Sequence, residues 1–256
     1  MTNLLQSAFN SGHPVLSVYF TAGHPQAGSA VRIIQALQDN GVDMIEIGMP
    51  FSDPLADGPT IQHSSEVALR NGMNMNVLFE ELKGIREKVT IPLVMMGYLN
   101  PVLQYGVEKF CQRCADIGIN GLIIPDLPLD EFTQHYKASF DKYNLEFICL
   151  ITPQTSENRI REIDEKTGGF IYMVAAASTT GAKGGISDEQ ITYFERIKEM
   201  KLKHPRLIGF GISNKATYEL ASSYSGGVII GSAFIKAIEG SNDIEGDVQR
   251  FVKGIR

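Results

Sequence analysis

Eight short runs rich in apolar and β-branched residues recur along the chain. They are VLSVYFTA (15–22), MIEIG (44–48), IPLVMMGY (91–98), GLIIPD (121–126), EFICLIT (146–152), FIYMVA (170–175), RLIGFG (206–211) and GVIIG (227–231). Between them lie amphipathic stretches of helical length, such as GSAVRIIQALQDNG, VEKFCQRCADIG, LDEFTQHYKASFDKY, SENRIREIDEKTG, DEQITYFERIKEMKLK and NKATYELASSYSG. Several of these open with a Ser, Asp or Asn suited to an N-cap and close on Gly. Near-continuous apolar strands alternating with helices predict a parallel sheet whose outer face is covered. Eight such units in a chain of 256 residues predict an α/β protein of the closed (β/α)8 barrel type, one domain spanning 1–256. An open doubly wound sheet is the alternative. It calls for a GxGxxG turn after the first strand, and TAGHPQAG (21–28) does not supply one. Leu4 to Asn10 reads as a short helix closing the bottom of the barrel.

Composition changes this picture only by exclusion. A formal net charge of −6 argues against a nucleic-acid or acidic-membrane surface, while leaving local phosphate binding open. Three cysteines, Cys111, Cys114 and Cys149, form an odd set suited to a reducing compartment. No apolar run approaches the roughly 18 residues of a membrane span. The N-terminal MTNLLQSAFNSG lacks a basic region followed by a long apolar one. The expected location is cytoplasmic.

In such a barrel the chemistry sits at the carboxyl ends of the strands and in the loops after them. Glu46 lies two residues from the end of the second run. Period-2 alternation sets it opposite Ile45 and Ile47, so with those two under the helices Glu46 points into the barrel mouth. A partly desolvated carboxylate there is expected to carry a proton near neutral pH. The competing reading is a structural acid paired with a cation at the barrel lip. The following loop, from Met49 toward a helix expected near Thr60, exceeds the roughly two to six residues usual for such a connection. Pro50, Pro54 and Pro59 stiffen it, and it carries Asp53 and Asp57 as candidate functional acids. Asp57 is equally placed to cap the coming helix.

Glycine turns after the seventh and eighth runs, GFGIS and IIGSAFIKAI, suit phosphate binding, because exposed N–H groups and a helix dipole would meet the anion. Gly211, Gly231 and Ser232 are the candidates, joined by Gly181 from the sixth loop; the competing reading is tight turns alone. The small, Gly-rich stretch 175–189 has the composition of a lid. No metal-ligand cluster stands out: the five histidines are scattered, and Cys111 and Cys114 lie in an amphipathic helix without a second pair. Carboxylate acid–base chemistry on a small phosphorylated substrate, without metal or cofactor, is what the residues leave.

The run EIGMPFSDPLADGPTIQ (46–62) resembles the signature of the tryptophan synthase alpha chain family. The resemblance continues through YFTAGHP (19–25), MGYLNPV, GLIIPDLP, STTGA (178–182), GFGIS and IIGSAFIK, and covers essentially the whole chain. It implies retro-aldol cleavage of indole-3-glycerol phosphate to indole and glyceraldehyde 3-phosphate. Glu46 would be the acid and base, and Asp57 the acceptor of the indole N–H. It further implies Tyr19, Met96, Ile123, Ile151 and Tyr172 as substrate walls and Thr180 as a lid contact to Asp57. Gly181, Gly211, Gly231 and Ser232 would surround the phosphate. Asp53, Pro54 and Asn100 would touch a beta chain, in an alpha2beta2 assembly whose pyridoxal phosphate belongs to that partner, leaving this chain without a cofactor. A stand-alone indole-3-glycerol phosphate lyase and a non-catalytic activator of the beta chain are the alternatives.

Overall fold

The computed structural model describes residues 4–175, 186–209 and 211–256. Its strands are β1 (Val15–Thr21), β2 (Met44–Gly48), β3 (Leu93–Met96), β4 (Gly121–Ile123), β5 (Glu146–Ile148), β6 (Leu150–Ile151), β7 (Ile171–Val174), β8 (Arg206–Gly209) and β9 (Gly227–Ile230). All pair in parallel, in the order β5-β4-β3-β2-β1-β9-β8-β7-β6. The two ends of that order, β5 and β6, are separated in sequence by Cys149 alone. The fifth run therefore pairs with β4 through its first half and with β7 through its second. Tyr172 N–H donates to the Cys149 carbonyl at 3.0 Å across the junction. Nine recorded strands thus occupy the eight positions that the hydrophobic pattern predicts, and the sheet closes into a barrel.

The helices return the chain from the carboxyl end of each strand to the next, and they cover the outside. Helix Ala30–Asp39 follows β1, and Pro59–Arg70 and Met75–Glu81 follow β2. Expected caps are in place: the Ser156 side chain accepts from Arg159 N–H, and Ser187 and Asn214 each build a reciprocal capping box. The segment Leu129–Lys142 runs as a helix with a π-type stretch at Phe132–Tyr136, where the stacked rings of Phe132 and Phe147 lie 4.1 Å apart.

Alternation along the strands sorts the core into two layers. Val15, Met44, Val94, Ile123, Ile148, Tyr172, Leu207 and Ile229 fill the barrel interior. Ile45, Ile47, Met95, Leu122, Phe147, Ile208 and Val228 face the helices. Leu5, on the short helix Leu4–Ala8, belongs to the interior set and is fully buried. It plugs the amino end, lying so close to Gly121 that an added Cβ there would come within 3.1 Å of it. Cys111 and Cys114 are buried packing groups, and the Cys114 thiol points at Met95 Sδ, 3.8 Å away.

Candidate active site

β1 and β2 pair so that Tyr19 stands beside Glu46 and Thr21 beside Gly48. That register puts Ser17, Tyr19, Glu46 and Gly48 on the interior face. Gly48 is where the chain needs no side chain: a Cβ would fall 2.1 Å from the Tyr19 hydroxyl. The Tyr19 ring therefore closes over Gly48, while a Cβ at Gly231, at the end of β9, would reach it only at an ordinary contact distance of 3.5 Å. Tyr172 on β7 repeats the arrangement over Gly209 on β8, where a Cβ would fall 2.3 Å from its ring.

Glu46 is completely buried. Its Oε1 accepts a hydrogen bond from the Ser17 hydroxyl at 2.9 Å, and its Oε2 has no hydrogen-bond partner among the described residues. Burial pushes its carboxyl up to about 8, against the smaller opposing pull of the Ser17 donor. Among the described residues no cation pairs with Glu46.

Asp57 stands on the β2 loop, which spans residues 49–58 before the helix Pro59–Arg70. Its carboxylate is not the helix cap. Gly58 occupies that position without a side-chain bond, and Pro59 follows in the first turn. The Asp57 Oδ2 instead accepts from the Tyr98 hydroxyl at 3.0 Å, and the same hydroxyl accepts from Ala56 N–H at 3.0 Å. Tyr98 thus ties the loop down at two adjacent residues. Burial raises the Asp57 carboxyl to about 6, with the Tyr98 bond pulling the other way. The Tyr19 and Tyr172 phenols are held well above their ordinary range, chiefly by burial, and both carboxylates add to the rise in each. Two acids and two phenols therefore form one electrostatic cluster.

Tyr19, Asp57 and Met96 line one pocket together with Met49, Phe51, Gly97 and Tyr98. The Phe51 and Tyr98 rings lie 5.3 Å apart at 32°, giving this pocket an aromatic wall. Ile123 sits deeper, in the interior layer that Met96 borders. Ile151 is a correction: it is buried in the outer layer under the helices, and its neighbour Leu150, in register with Tyr172, takes the inner side. Gly211 has φ +82°, a turn conformation open to glycine, and nothing would meet a Cβ there. Gly231 caps the helix Ser232–Ile238, with Ser232 exposed at its first position. Asp53 and Asn100 are exposed, Pro54 half-buried. Thr180 and Gly181, with most of the 175–189 segment, lie outside the described residues. Sequence reasoning missed Ser17, Phe51 and Tyr98. A lone hydroxyl on the Tyr19 face of an apolar strand was the available signal for Ser17; Tyr98 had none short of the loop's folded path.

A parallel barrel with two carboxylates of raised proton affinity at the carboxyl ends of its strands is, by class, an acid–base enzyme. Residues 5–254 match the family model described as tryptophan synthase alpha chain. The chain is 57% identical over 254 residues to the tryptophan synthase alpha chain of Flavobacterium johnsoniae, covering 99% of this chain and 100% of that one. It is 50% identical over 244 residues to that of Bacteroides thetaiotaomicron, covering 95% of each. Among solved structures, it resembles a tryptophan synthase alpha chain from Legionella pneumophila, with TM-score 0.89, 29% identity, and coverage of 100% of this chain and 96% of that one. It also resembles a chain of the aminoacrylate-bound tryptophan synthase from M. tuberculosis, with TM-score 0.85, 30% identity and full coverage of both. The chain belongs to the tryptophan synthase alpha chain family, the lyases of the indole-3-glycerol phosphate cleavage half-reaction.

Proposed function

We propose that Glu46 and Asp57 divide the cleavage of indole-3-glycerol phosphate between them. Glu46, protonated, donates its proton to indole C3 and so converts the ring into a cation-like electron sink. The resulting carboxylate then removes the proton from the adjacent glycerol hydroxyl as the C–C bond breaks. Glyceraldehyde 3-phosphate and indole leave, and Glu46 is protonated again. Asp57, ionised, accepts the indole N–H and stabilises the positive charge that develops on the ring. The observation that carries this reading is the pairing of a buried acid, one oxygen unpartnered among the described residues, with a second and more acidic carboxylate coupled to the same tyrosines. Two carboxyls whose environments push their proton affinities apart can serve as acid and as anion at one pH.

Tyr19, Met96 and Tyr172 serve as substrate walls, Ile123 as the deeper floor and Leu150 in place of Ile151. Gly181, Gly211, Gly231 and Ser232 surround the phosphate, and Thr180 meets Asp57 from the lid. The partner is a tryptophan synthase beta chain in an alpha2beta2 assembly, contacted through Asp53, Pro54 and Asn100. Pyridoxal phosphate belongs to that partner, and this chain uses no cofactor of its own. No helix among the described residues is long and apolar enough to cross a membrane; we place the enzyme in the cytoplasm.

The test is indole release from indole-3-glycerol phosphate by the purified chain, alone and with a beta chain, with Glu46→Gln alongside. Weak release alone, strongly raised by the partner and lost in the variant, is expected. Fast release without a partner would favour the stand-alone lyase. Acceleration of the beta reaction with no indole release in either condition would sink the catalytic assignment.

A further inference from the structure

We propose that Ser17 is a positioning residue for Glu46, pinning Oε1 from inside the barrel so that Oε2 alone is presented for proton exchange. The inference deepens the reading of Glu46 as the proton carrier and rests on it.

Ser17 is completely buried in the middle of β1. Its partners in register are Met44 on β2 and Ile229 on β9, both interior apolar side chains. A hydroxyl among such neighbours is costly unless its hydrogen is given to an acceptor. Its side-chain hydrogen bond is the one to Glu46 Oε1, at 2.9 Å. Packing alone would be served as well or better by a small apolar residue, so the hydroxyl is explained by the carboxylate it touches.

The geometry divides the two carboxyl oxygens. Oε1 accepts the Ser17 hydrogen, so the proton of the neutral acid resides on Oε2, the oxygen left unpartnered among the described residues. After that proton has gone to the substrate, the same bond becomes a charge-assisted one and steadies the carboxylate in a site with little else to do so. Among the described residues, the titratable groups coupled to Glu46 are Tyr19 on β1 and Tyr172 on β7, and neither is a cation. Among the described residues Ser17 is therefore the group that keeps the ionised form of Glu46 within reach during turnover. Neither Ser17 nor Glu46 lines the pocket of Tyr19, Asp57 and Met96.

The experiment compares wild type, Ser17→Ala, Ser17→Thr and Glu46→Gln, each with a beta chain present. Indole release is followed against pH, and Glu46 is titrated by 13C NMR of labelled glutamate carboxyls, assigned through the Glu46→Gln difference. For Ser17→Ala, kcat is expected to fall about tenfold, as for loss of a hydrogen bond to a charged group, with KM little changed. Its alkaline limb and its Glu46 carboxyl titration both move to higher pH, and Ser17→Thr restores them. A Ser17→Ala enzyme with wild-type kcat and wild-type titration overturns the proposal. So does an equal defect in Ser17→Thr, which would make side-chain volume the cause. Indole release retained in Glu46→Gln overturns the assignment of Glu46 instead, a separate outcome.

Discussion

In the proposed mechanism Glu46 holds a proton that it later reclaims, while Asp57 stays an anion. Burial works on both in the same direction and each accepts one hydroxyl, so the separation comes from how deeply each is buried. Glu46 receives one hydroxyl in an otherwise apolar interior and is raised to about 8; Asp57 is nearer the surface, receives the Tyr98 hydroxyl and is raised only to about 6. The proposed catalytic state needs Glu46 protonated and Asp57 ionised. Activity is therefore expected to fall below about pH 6 and above about pH 8, with the acid limb belonging to Asp57. Tyr98→Phe tests the assignment. A hydrogen bond to an ionised group is worth about 1.5–3 kcal/mol, and its loss favours the protonated form of Asp57. The acid limb of the kcat/KM profile should move to higher pH while the alkaline limb stays, with a lower plateau because Ala56 also loses its acceptor. An acid limb that stays put or moves down would separate Tyr98 from the ionisation of Asp57.

Strand pairing converts these residues into a site, and glycines fix how closely the pieces approach. Tyr19 packs over Gly48, and its hydroxyl lies 3.4 Å from Thr21 Oγ1, itself 2.6 Å from Ser64 Oγ. An added methyl at Gly48 would meet the Tyr19 hydroxyl at 2.1 Å and ring carbons at 2.5 and 2.8 Å, so the whole ring must shift. Gly48→Ala is expected to cost about 1–3 kcal/mol, the usual range for overpacking, in chemical denaturation. It should also raise KM by moving a pocket wall; a variant with unchanged stability and KM would show that Tyr19 has room the geometry denies it. The strands carrying this arrangement were readable in the sequence because β-branched runs and capped helices alternate with little ambiguity. Glu46 was readable because a single acid interrupts MIEIG and so sets its own phase. EFICLIT has no polar residue in its middle, and nothing local distinguishes the face of Leu150 from that of Ile151. The transfer of pairing at Cys149 depends on neighbours remote in sequence. Asp57 as an acid was visible, but its freedom from capping depends on Gly58 taking the cap and on Tyr98 arriving from β3's loop.

The whole molecule presents its proposed catalytic rim at one end of the barrel, and that rim is where a partner could sense or adjust the chemistry. β2 and β3 are adjacent, so the loop after one and the helix after the other lie side by side at their carboxyl ends. Leu55 at the loop is 90% exposed and Leu103 on helix Leu99–Tyr105 is 45% exposed, flanking the proposed contacts Asp53, Pro54 and Asn100. Exposed leucines scattered singly need no explanation; two on neighbouring rim elements, next to a pocket, suit an apolar anchor for the proposed beta chain. Leu55 is joined to the site mechanically. It precedes Ala56 and Asp57, and both of these are held by the same Tyr98 hydroxyl. A partner seated on Leu55 would therefore press on the segment that sets the position of Asp57, and raised activity in the complex would follow from contact rather than from new catalytic groups. Leu55→Asp removes the anchor and places a charge where burial would occur. Its affinity for the beta chain should weaken about tenfold to a hundredfold, within the range for an interface anchor, and stimulation of indole release should need correspondingly more partner. Slow release by the isolated chain should be unchanged, since Leu55 lies outside the pocket. Binding isotherms and partner titrations of the rate check this directly. Unaltered affinity and stimulation would move the docking surface elsewhere on the barrel, whereas a loss of activity in the isolated chain would mean that Leu55 holds the loop itself.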